Sequence, residues 1–393
     1  MRILEVVPVF SASFGGPVTA VRSISKELAR NNEVTIYTTS ALDQRRDLKN
    51  RPFKIRSEGY QVVYFPRILT ISGFNISPSM AQAIREELNE YDIVHLHSFR
   101  HFQDIIVHRY AREYDVPYVL QTHGSVPRIV AKQRLKWLYD KFFGYKLLRD
   151  SSKVVALTRT EAQQYRNVGV PDKKISIIPN GVDLSAYADL PQNGDFKAKY
   201  GISRDRTIIL YLGRLHRIKG IDLLLAAYKK LVEEMQTNAL LVIAGPDDGY
   251  LNTLKSLINQ LKLEHNVLLT GPLYDRNKLE AYVDAEVYIL PSRYEIFGNT
   301  ILEAYACSKP VIASDVQSIS DIVLNGKTGL LFKAGDVQEL VRTLAFVITH
   351  PEEAGKMGRE GHEFLKDTFL IENISRSLET LYQEVLEERR VIR

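Results

Sequence analysis

The chain has 393 residues, about twice the length of a common single domain, so two domains are expected. Its composition, 45% hydrophobic and 25% charged residues, excludes a fibrous or disordered protein. The single cysteine, Cys307, excludes a disulfide framework and a cysteine-rich zinc site and indicates a reducing compartment. The modest net charge of +5 argues against a nucleic-acid-binding protein.

Short apolar segments alternate with longer amphipathic segments along the whole chain. Residues 1–7 are mostly apolar, with Glu5 in the middle and Pro8 at the end, which predicts a buried strand and not a signal peptide. The strands predicted in the first half are residues 3–8, 33–38, 61–65, 93–96, 118–122, 153–157 and 175–178. Helices are predicted between them, among them residues 17–30, 80–88 and 105–114.

The second half repeats the pattern. Strands are predicted at residues 208–212, 240–244, 267–270, 287–290, 310–313 and 329–332. Apolar strands separated by amphipathic helices indicate parallel sheets covered on both faces. No run approaches about 20 apolar residues, so no membrane-spanning helix is predicted. The expected fold class is therefore α/β, with two doubly wound Rossmann-like domains.

A change of composition marks the domain boundary. Residues 184–206 contain Pro191, Gly194 and Gly201 and precede the predicted strand at 208. The expected domains are residues 1–185 and 206–370, facing a cleft. Ligands of such domains bind at the carboxyl ends of the strands.

The strongest motif is the segment 292–304, Ser-Arg-Tyr-Glu-Ile-Phe-Gly-Asn-Thr-Ile-Leu-Glu-Ala, which follows a predicted strand. Gly298 and Asn299 are expected to open a helix whose first N–H groups can hold a phosphate. Glu295 precedes this helix and Glu303 lies inside it. Carboxylates on both sides of a phosphate site suit a nucleotide-sugar, which has hydroxyl groups at both ends. The alternative is a pair of ordinary surface glutamates.

A second motif is the segment 211–222, Tyr-Leu-Gly-Arg-Leu-His-Arg-Ile-Lys-Gly-Ile-Asp. A predicted strand ends at Gly213, where the missing side chain lets the backbone approach a ligand. Arg214 and Lys219 follow, and their positive charges could neutralise a diphosphate. The alternative is that both are solvated basic side chains.

Charge is unevenly distributed between the halves. Residues 1–190 contain 27 Lys and Arg against 19 Asp and Glu, and the remainder contains 25 against 28. The basic first half suggests an anionic partner, either phosphate groups or a membrane surface. A solvated surface with a chance asymmetry remains an equal alternative.

Several patterns do not predict a site. Residues 325–328 resemble a phosphate-binding P-loop but have Asp321 where the motif needs its first glycine. No Asp-x-Asp pair occurs, so a carboxylate-clamped divalent metal has no obvious ligands. His95 and His97 are expected to face opposite sides of their strand, so no metal site is predicted from them.

Taken in order, the motifs resemble the signature of the retaining GT-B glycosyltransferases of family 4, also called glycosyl transferases group 1. The resemblance extends over nearly the whole chain and rests on residues 15–17, 122–124, 178–183, 213–220, 244–245 and 295–303. It implies a GT-B fold whose second domain binds the nucleotide-sugar and whose first domain binds the acceptor. It also implies retention at the anomeric carbon without a metal or another cofactor, and a C-terminal helix, residues 371–393, that packs on the first domain.

The resemblance assigns roles to individual residues. Arg214 and Lys219 match the pair that neutralises the leaving diphosphate, Glu303 the ribose ligand, Glu295 the donor-sugar ligand and His123 a cleft histidine near the transferred sugar. The remaining donor-binding residues are Gly16, Phe297, Gly298, Asn299 and Thr300. Since no covalent nucleophile is evident, the resemblance favours same-face displacement, in which the leaving phosphate helps to deprotonate the acceptor hydroxyl.

The acceptor side is less defined. Residues 131–150 interleave basic and aromatic side chains and could form either a helix at a membrane interface or a half-buried helix of the first domain. Arg100 and His101 follow a predicted strand and could meet the acceptor or be ordinary loop residues.

The expected function is transfer of a hexose from a nucleotide-diphospho-sugar to a glycan or lipid-linked acceptor. The expected location is the cytoplasm or the inner membrane face. Two alternatives remain, a nucleotide-sugar epimerase on the same fold and a non-catalytic nucleotide-sugar-binding protein. The first would turn over a nucleotide-sugar without an acceptor, and the second would turn over none.

Overall fold

The computed structural model describes residues 1–11, 16–39, 51–71, 74–129, 132–316 and 318–392. The chain forms two compact units, one of Met1–Gly181 with Ile371–Arg393 and one of Val182–Leu370. The boundary lies before the predicted linker, because the linker packs on the second unit. Phe196 is fully buried, and Asp284 accepts hydrogen bonds from the backbone N–H groups of Gly194 and Lys197 at 2.6 and 2.8 Å.

The first unit begins with alternating strands and helices. Up to Gly181 its elements are β1 (Arg2–Val9), α1 (Gly16–Leu28), β2 (Glu33–Thr39), β3 (Phe53–Ser57), β4 (Tyr60–Phe65), β5 (Leu69–Ile71), β6 (Phe74–Ile76), α2 (Pro78–Glu87), β7 (Ile93–Leu96), α3 (Phe102–Glu113), β8 (Tyr118–Gln121), α4 (Gln133–Tyr139), a π-helical turn (Asp140–Gly144), α5 (Tyr145–Asp150), β9 (Lys153–Ala156), α6 (Arg159–Asn167) and β10 (Ile175–Ile177).

The second unit continues the alternation. Its elements are α7 (Asp195–Lys199), β11 (Ile208–Leu212), α8 (Ile221–Met235), β12 (Leu240–Ala244), α9 (Leu251–Gln260), β13 (Val267–Gly271), α10 (Asp275–Asp284), β14 (Val287–Leu290), α11 (Asn299–Ala306), β15 (Val311–Asp315), β16 (Gly329–Lys333), α12 (Val337–Thr349) and α13 (Pro351–Thr368). The last helix, α14 (Ile371–Ile392), belongs to the first unit.

Each unit has a central, mostly parallel sheet. The first has the order β10-β9-β8-β7-β1-β2-β4-β3, in which β3 is antiparallel to β4, and the second has the order β13-β12-β11-β14-β15-β16. Apolar side chains form one buried cluster on each face of the first sheet and a large cluster in the second unit. The predicted α/β class with doubly wound, Rossmann-like domains is confirmed.

Three strands were absent from the sequence prediction. The edge strand β3 has mostly exposed side chains, and β5 and β6 form a separate hairpin of three residues each. Short strands with little buried surface carry only a weak hydrophobic pattern, so propensity alone does not reveal them.

The last helix returns to the first unit because its apolar residues repeat on one face. Ile371, Ile374, Leu378, Leu381 and Val385 are buried in the cluster that also contains β1 and α1 side chains. The start of this helix lies close to the motif 178–183, because a Cβ built on Gly181 would lie 2.8 Å from the Ile371 Cα. This close approach therefore requires glycine at position 181.

Candidate functional site

Two loops meet at one edge of the second sheet. β11 and β14 are parallel neighbours, so the two motif segments start at the same edge. Gly220 has φ +67°, and a Cβ at this position would lie 2.0 Å from the Pro291 carbonyl oxygen. The Arg293 N–H donates to the Ile218 carbonyl at 2.8 Å. The loops are thus in backbone contact, and only glycine fits at position 220.

Lys219 and Glu295, predicted on separate motifs, form an ion pair. The Lys219 Nζ lies 2.5 Å from the Glu295 Oε2, and the side chains are only 15% and 14% exposed. Ser292 Oγ donates to the same oxygen at 3.2 Å, and Ser318 Oγ donates to the Glu295 carbonyl at 2.6 Å. A cation and a carboxylate are therefore held together at the sheet edge, within reach of solvent.

A second ion pair holds the loops in place. Both terminal nitrogens of Arg293 donate to the Asp222 carboxylate at 2.7 Å, and one of them also donates to the Arg217 carbonyl at 2.9 Å. A bidentate pair of this kind fixes orientation as well as distance. It joins the loop that carries Glu295 to the start of α8, one turn after Lys219, and so positions both.

Arg214 lies on the same loop but has a different partner. Its Nη1 donates to Asp248 Oδ2 at 2.6 Å, both side chains are exposed, and the Tyr211 hydroxyl donates to the Arg214 carbonyl at 2.9 Å. Nearby, a Cβ on Gly245 would lie 1.8 Å from the Gly213 carbonyl oxygen, so this loop also packs backbone to backbone. Because this ion pair is exposed to solvent, the Arg214 guanidinium can exchange Asp248 for an anionic ligand at little cost in free energy.

Glu303 is anchored from α10. Its carboxylate accepts from Lys278 Nζ at 2.7 Å and from the Tyr282 hydroxyl at 3.1 Å, and its side chain is 13% exposed. Burial raises the pKa of Tyr282 well above its ordinary value, so this hydroxyl keeps its proton. One helix therefore supplies both a cation and a neutral donor to the carboxylate.

The start of α11 has the geometry that the sequence predicts. Gly298 precedes it with φ +71°, and Asn299 is its first residue. The Thr300 Oγ1 lies 2.5 Å from the buried Tyr288 hydroxyl. Phe297, in contrast, is buried against Phe369, with ring centroids 6.0 Å apart, so its ring packs the core and only its backbone can meet a ligand.

Sequence reasoning missed the residues that hold this site. Lys278 and Tyr282 lie on a helix that carries no motif, and Tyr288 is an ordinary member of an apolar strand. Arg293 and Asp222 fall inside the two motifs, yet nothing in their spacing indicates that they pair. Such contacts join segments far apart in the chain, and only a homologue alignment would have drawn attention to them.

In the first unit His123 lies on a turn that follows β8. Its φ is +49°, which is uncommon for a residue other than glycine. The buried Glu161 carboxylate holds the turn, because it accepts from the Gly124 N–H at 2.6 Å, the Thr122 hydroxyl at 3.0 Å and the Leu157 N–H at 2.7 Å. Gly16, also assigned to the donor, is the first residue of α1, whereas residue 15 lies outside the described residues.

The prediction that His95 and His97 face opposite sides is wrong. Residues two apart in an extended chain point to the same face, and the two ring centroids are 3.9 Å apart. His97 Nε2 contacts the Oε2 of Glu5, and His95 Nδ1 lies 3.5 Å from the same oxygen. On its other side, His97 Nδ1 lies 3.2 Å from His123 Nε2. The Tyr382 hydroxyl lies 2.7 Å from His95 Nδ1.

The cluster of Glu5, His95 and His97 offers three potential metal ligands within 4.8 Å of one another. In the structure His97 Nε2 and Glu5 Oε2 contact each other directly, as the partners of a hydrogen bond do. We therefore describe the cluster as a hydrogen-bond network.

Comparison with known proteins agrees with this geometry. A model of glycosyl transferases group 1 matches residues 192–364, and a model of glycosyltransferase family 4 matches residues 14–186. The chain belongs to the group 1 glycosyltransferases. It is therefore a transferase enzyme, and the alternatives of an epimerase and a non-catalytic binding protein lose their support.

Named relatives of this glycosyltransferase extend over almost its whole length. N-acetyl-alpha-D-glucosaminyl L-malate synthase of Bacillus anthracis is 25% identical over 96% of each chain. A GDP-mannose-dependent alpha-(1-6)-phosphatidylinositol monomannoside mannosyltransferase of Mycolicibacterium smegmatis is 24% identical over 90% of this chain and 91% of its own.

Solved structures share the fold of this glycosyltransferase. HepE of Anabaena, in complex with UDP and glucose, has a TM-score of 0.79 at 19% identity, over 98% of this chain and 100% of its own. Sucrose-phosphate synthase of Thermosynechococcus elongatus has a TM-score of 0.78 at 21% identity, over 99% and 100%. At these identities the likeness establishes the GT-B fold alone.

Arg100 and His101, predicted to meet the acceptor or to be ordinary loop residues, both hold the loop that follows β7. The Arg100 guanidinium is 9% exposed and donates twice to the Asp140 carboxylate, at 2.7 and 2.8 Å, and to the carbonyls of Ser125 and Val126. His101 caps α3, where its N–H donates to Asp104 at 2.8 Å. The Arg100 guanidinium is thus held within the first unit, and an acceptor role for the His101 side chain stays a prediction.

The segment 132–150 is divided between surface and core. The π-helical turn breaks the single predicted helix into α4 and α5, and Leu147 and Leu148 at its end are buried. The preceding part has an exposed apolar surface, which we call the aromatic patch: Leu135, Trp137, Leu138, Phe142, Phe143 and Tyr145. A helix whose aromatic residues all face the core is therefore excluded. Within the described residues, no helix combines the length and apolar character needed to cross a bilayer.

Proposed function

We propose that this glycosyltransferase moves a hexose from a nucleoside-diphospho-sugar to an acceptor hydroxyl, with retention and without a metal. The observation that carries the proposal is the joined motif pair: Lys219 contacts Glu295 where the strands β11 and β14 end, close in sequence to the start of α11. Cation, carboxylate and helix N–H groups are the groups that a diphosphate and a sugar require.

The donor would lie along the second unit. Lys219, Arg214 and the N–H groups after Gly298 take the diphosphate, Glu303 accepts from the ribose hydroxyls and Glu295 from the sugar hydroxyls. The HepE complexes with UDP-glucose and the GDP-mannose dependence of the mycobacterial mannosyltransferase support a nucleotide-hexose. Since these two relatives use different bases, uracil and guanine both remain candidates.

The reaction exchanges one bond for another at the anomeric carbon. The bond from that carbon to the phosphate oxygen breaks, the acceptor oxygen bonds on the same face, and its proton passes to the departing phosphate. Negative charge grows on the diphosphate as this happens. Fixed cations and helix N–H groups stabilise it, and they do so most strongly in the transition state.

The acceptor is proposed to bind the first unit and to be a glycan or a lipid-linked molecule. The aromatic patch supports a lipid-linked acceptor, because Leu135 and Phe142 are 59% and 54% exposed and basic residues surround them. Lys141 lies 5.3 Å from the Trp137 ring centroid. An apolar surface with a basic rim favours an anionic bilayer, here the inner face of the cell membrane.

Calorimetry of the purified protein with UDP, GDP, ADP and their common sugar forms, each with and without EDTA, tests this function. Tight binding of one nucleotide that survives EDTA is expected and names the donor class. Turnover of the donor should then require an acceptor hydroxyl, since a donor converted without an acceptor would indicate an epimerase. A protein that binds none of these nucleotides would contradict the proposal.

A further inference from the structure

A groove runs along the outer face of α3 in the first unit. It has a volume of about 530 Å³ and lies between α3 and the segment formed by the π-helical turn and α5. His108 Nε2 on α3 lies 2.9 Å from Asp150 Oδ2 on α5, which joins the two walls. The lining residues of α3 are numbers 105, 108, 109, 112 and 113, the spacing of a single helix face. Three of them, 109, 112 and 113, are exposed, so this face is open to solvent.

Part of the lining is apolar. Phe142 and Phe143 of the π-helical turn are 54% and 42% exposed, and Ile105 of α3 also lines the groove. Both phenylalanines belong to the aromatic patch, so the groove and the patch are continuous. Exposed rings of this kind gain free energy when the apolar part of a ligand covers them.

The rest of the lining is mostly basic. Arg109, Arg112 and Lys146 line the groove together with one carboxylate, that of Glu113, and all four side chains are exposed. The Arg112 Nη1 lies 3.7 Å from Asp150 Oδ2. Among the described residues, no carboxylate pairs with Arg109 or Lys146; the Arg109 guanidinium lies over the ring of its chain neighbour. The positive charge of the groove is therefore only partly neutralised by the protein.

The cations lie away from the edge of the sheet where β7 and β8 end. Because α3 connects these two parallel strands, it runs in the opposite direction to them. Its second half, which carries Arg109 and Arg112, therefore lies toward the edge where the strands begin. Ligands of doubly wound sheets bind at the other edge, beyond the carboxyl ends. The groove is thus distinct from the edge at which an acceptor is expected.

We propose that this groove binds the phosphate of an anionic lipid in a bilayer, with Arg109, Arg112 and Lys146 around the phosphate and the apolar part of the lipid against Phe142 and Phe143. Guanidinium groups match phosphate oxygens with paired hydrogen bonds, and lysine adds a point charge. A lipid is favoured over a free phosphate, because a free phosphate would leave both rings in water. This inference deepens the proposed membrane contact and rests on it.

The fluorescence of the wild-type protein tests the contact first. Trp137 is the single tryptophan of the chain, belongs to the aromatic patch and is 48% exposed. Vesicles of phosphatidylglycerol and phosphatidylcholine in equal parts should shift its emission to shorter wavelength, and added NaCl should weaken the binding. Vesicles of phosphatidylcholine alone should have little effect. Equal binding to both kinds of vesicle would overturn the proposal, and this comparison needs no variant.

A pair of double variants then tests the groove itself. Arg109→Gln with Lys146→Gln should weaken binding to the phosphatidylglycerol vesicles roughly 30-fold, as expected for two basic residues at an anionic surface. The matched control is Lys54→Gln with Arg56→Gln, which removes the same charge from exposed positions of the edge strand β3. This strand lies four strands away from β7, roughly 19 Å, beyond the Debye length of about 8 Å.

The control variant should bind these vesicles almost as well as the wild-type protein. Circular dichroism checks that both double variants are folded. An unchanged affinity in the groove variant would contradict the proposal, and so would equal losses in the two variants, since these would indicate attraction by net charge alone.

Soluble anions distinguish a lipid from a free phosphate. Calorimetry with inorganic phosphate and with glycerol phosphate should show only weak binding, because neither covers the aromatic rings. Tight binding of either anion by a protein that ignores the vesicles would assign the groove to a free phosphate and overturn the proposal.

The proposed transferase function fails or stands separately, since no nucleotide-sugar is present in these titrations. A protein that turns over no donor, but whose vesicle binding depends on Arg109 and Lys146, would refute the function and keep the groove. An active transferase whose vesicle binding is indifferent to both residues would keep the function and lose the groove.

Discussion

At the scale of single residues, the proposed donor site is a set of charges that already neutralise each other. Lys219 contacts Glu295, and Lys278 contacts Glu303, so each carboxylate assigned to the donor has a lysine partner. A donor that brings two phosphates adds negative charge beside Lys219. The ion pair with Glu295 keeps this lysine pointed at the site, so that little reorganisation is needed when the leaving group becomes charged.

Lys219→Ala is expected to lower kcat by about 100-fold or more and donor affinity much less, because charge on the diphosphate grows in the transition state. Initial rates and calorimetry with the donor measure the two effects. Lys229→Ala is the matched control, since Lys229 forms an ion pair with Glu233 along α8 and has no assigned role. Equal losses in rate and in donor affinity would contradict this role for Lys219.

Glu303→Ala should weaken binding of the free nucleotide by about 1–3 kcal/mol, the effect of losing hydrogen bonds to a charged group. Calorimetry with the nucleoside diphosphate measures it. Glu264→Ala removes the same charge from an exposed site of the second unit and should have no effect. A nucleotide affinity that is the same in wild type and Glu303→Ala would remove Glu303 from the site.

The sequence could supply the candidate site residues but not the side chains that pair with them. Glu295 and Lys219 stand out because their motifs have local spacing around strand ends. Lys278 and Asp248, which pair with Glu303 and Arg214, belong to segments without any such pattern. Arg100 shows the converse: its position at a strand end indicated a ligand, while its carboxylate partner lies 40 residues further along the chain.

At the scale of elements, the site depends on two loops whose backbones touch. Gly220→Ala places a Cβ 2.0 Å from the Pro291 carbonyl oxygen and also forces an alanine to φ +67°. Gly201 has a similar φ, +64°, and a Cβ at that position would meet no atom of the described residues within 4 Å. Comparing alanine at these two positions therefore distinguishes the stability cost of backbone strain from the cost of a steric collision.

Gly201→Ala is expected to cost about 1–2 kcal/mol of unfolding free energy, the left-handed strain alone. Gly220→Ala should cost about 1–3 kcal/mol more, because the collision forces the loops apart. Urea unfolding followed by circular dichroism measures both. Donor binding should also weaken in Gly220→Ala only. Equal stability of the two variants would show that the loops tolerate separation.

The aromatic patch, defined above, is the element that the proposed membrane contact requires. A Leu135→Ser and Phe142→Ser double variant should lose most of its binding to vesicles with anionic lipid, because about 1–2 kcal/mol of apolar burial per side chain is removed. Flotation or co-sedimentation measures this. Ile177→Ser is the control, since Ile177 is similarly exposed at the edge strand β10. If the wild-type protein does not bind such vesicles, the membrane contact is wrong.

At the scale of the whole molecule, the buried network links pH to stability. Burial raises the pKa of Glu5 to about 7 from 4.5, so the folded chain holds this proton more tightly than the unfolded chain. The protonated Glu5 therefore adds to the free energy of unfolding below pH 4.5, and this added stability is lost as the pH rises to 7. The pKa values of His97 and His123 are lowered to about 3, so these residues have the opposite effect. The neutral histidines add to the free energy of unfolding above about pH 6.5, and this added stability is lost as the pH falls.

Comparison with Glu5→Gln isolates the glutamate, because both proteins keep the histidines. The unfolding free energy of wild type relative to the variant should fall by about 3 kcal/mol between pH 4.5 and 7 and stay level above that. Urea unfolding at a series of pH values measures the difference. His95 and Tyr382 also face the carboxyl group, Glu379 faces Tyr382, and all three are common to both proteins. A difference that does not change with pH would mean that Glu5 titrates normally.

The sequence by itself determined the alternating elements, the two-domain α/β class and the motif residues at the strand ends. These follow from local chemistry. The period of the hydrophobic pattern distinguishes strands from helices, and glycines with charged neighbours mark the loops that parallel strands bring to one edge of the sheet. The tertiary structure decided the partners. It joined Lys219 to Glu295, placed Glu5 beside two histidines, exposed the aromatic patch and paired the Arg100 guanidinium with Asp140. Contacts between distant segments depend on how whole elements pack, which no local pattern encodes.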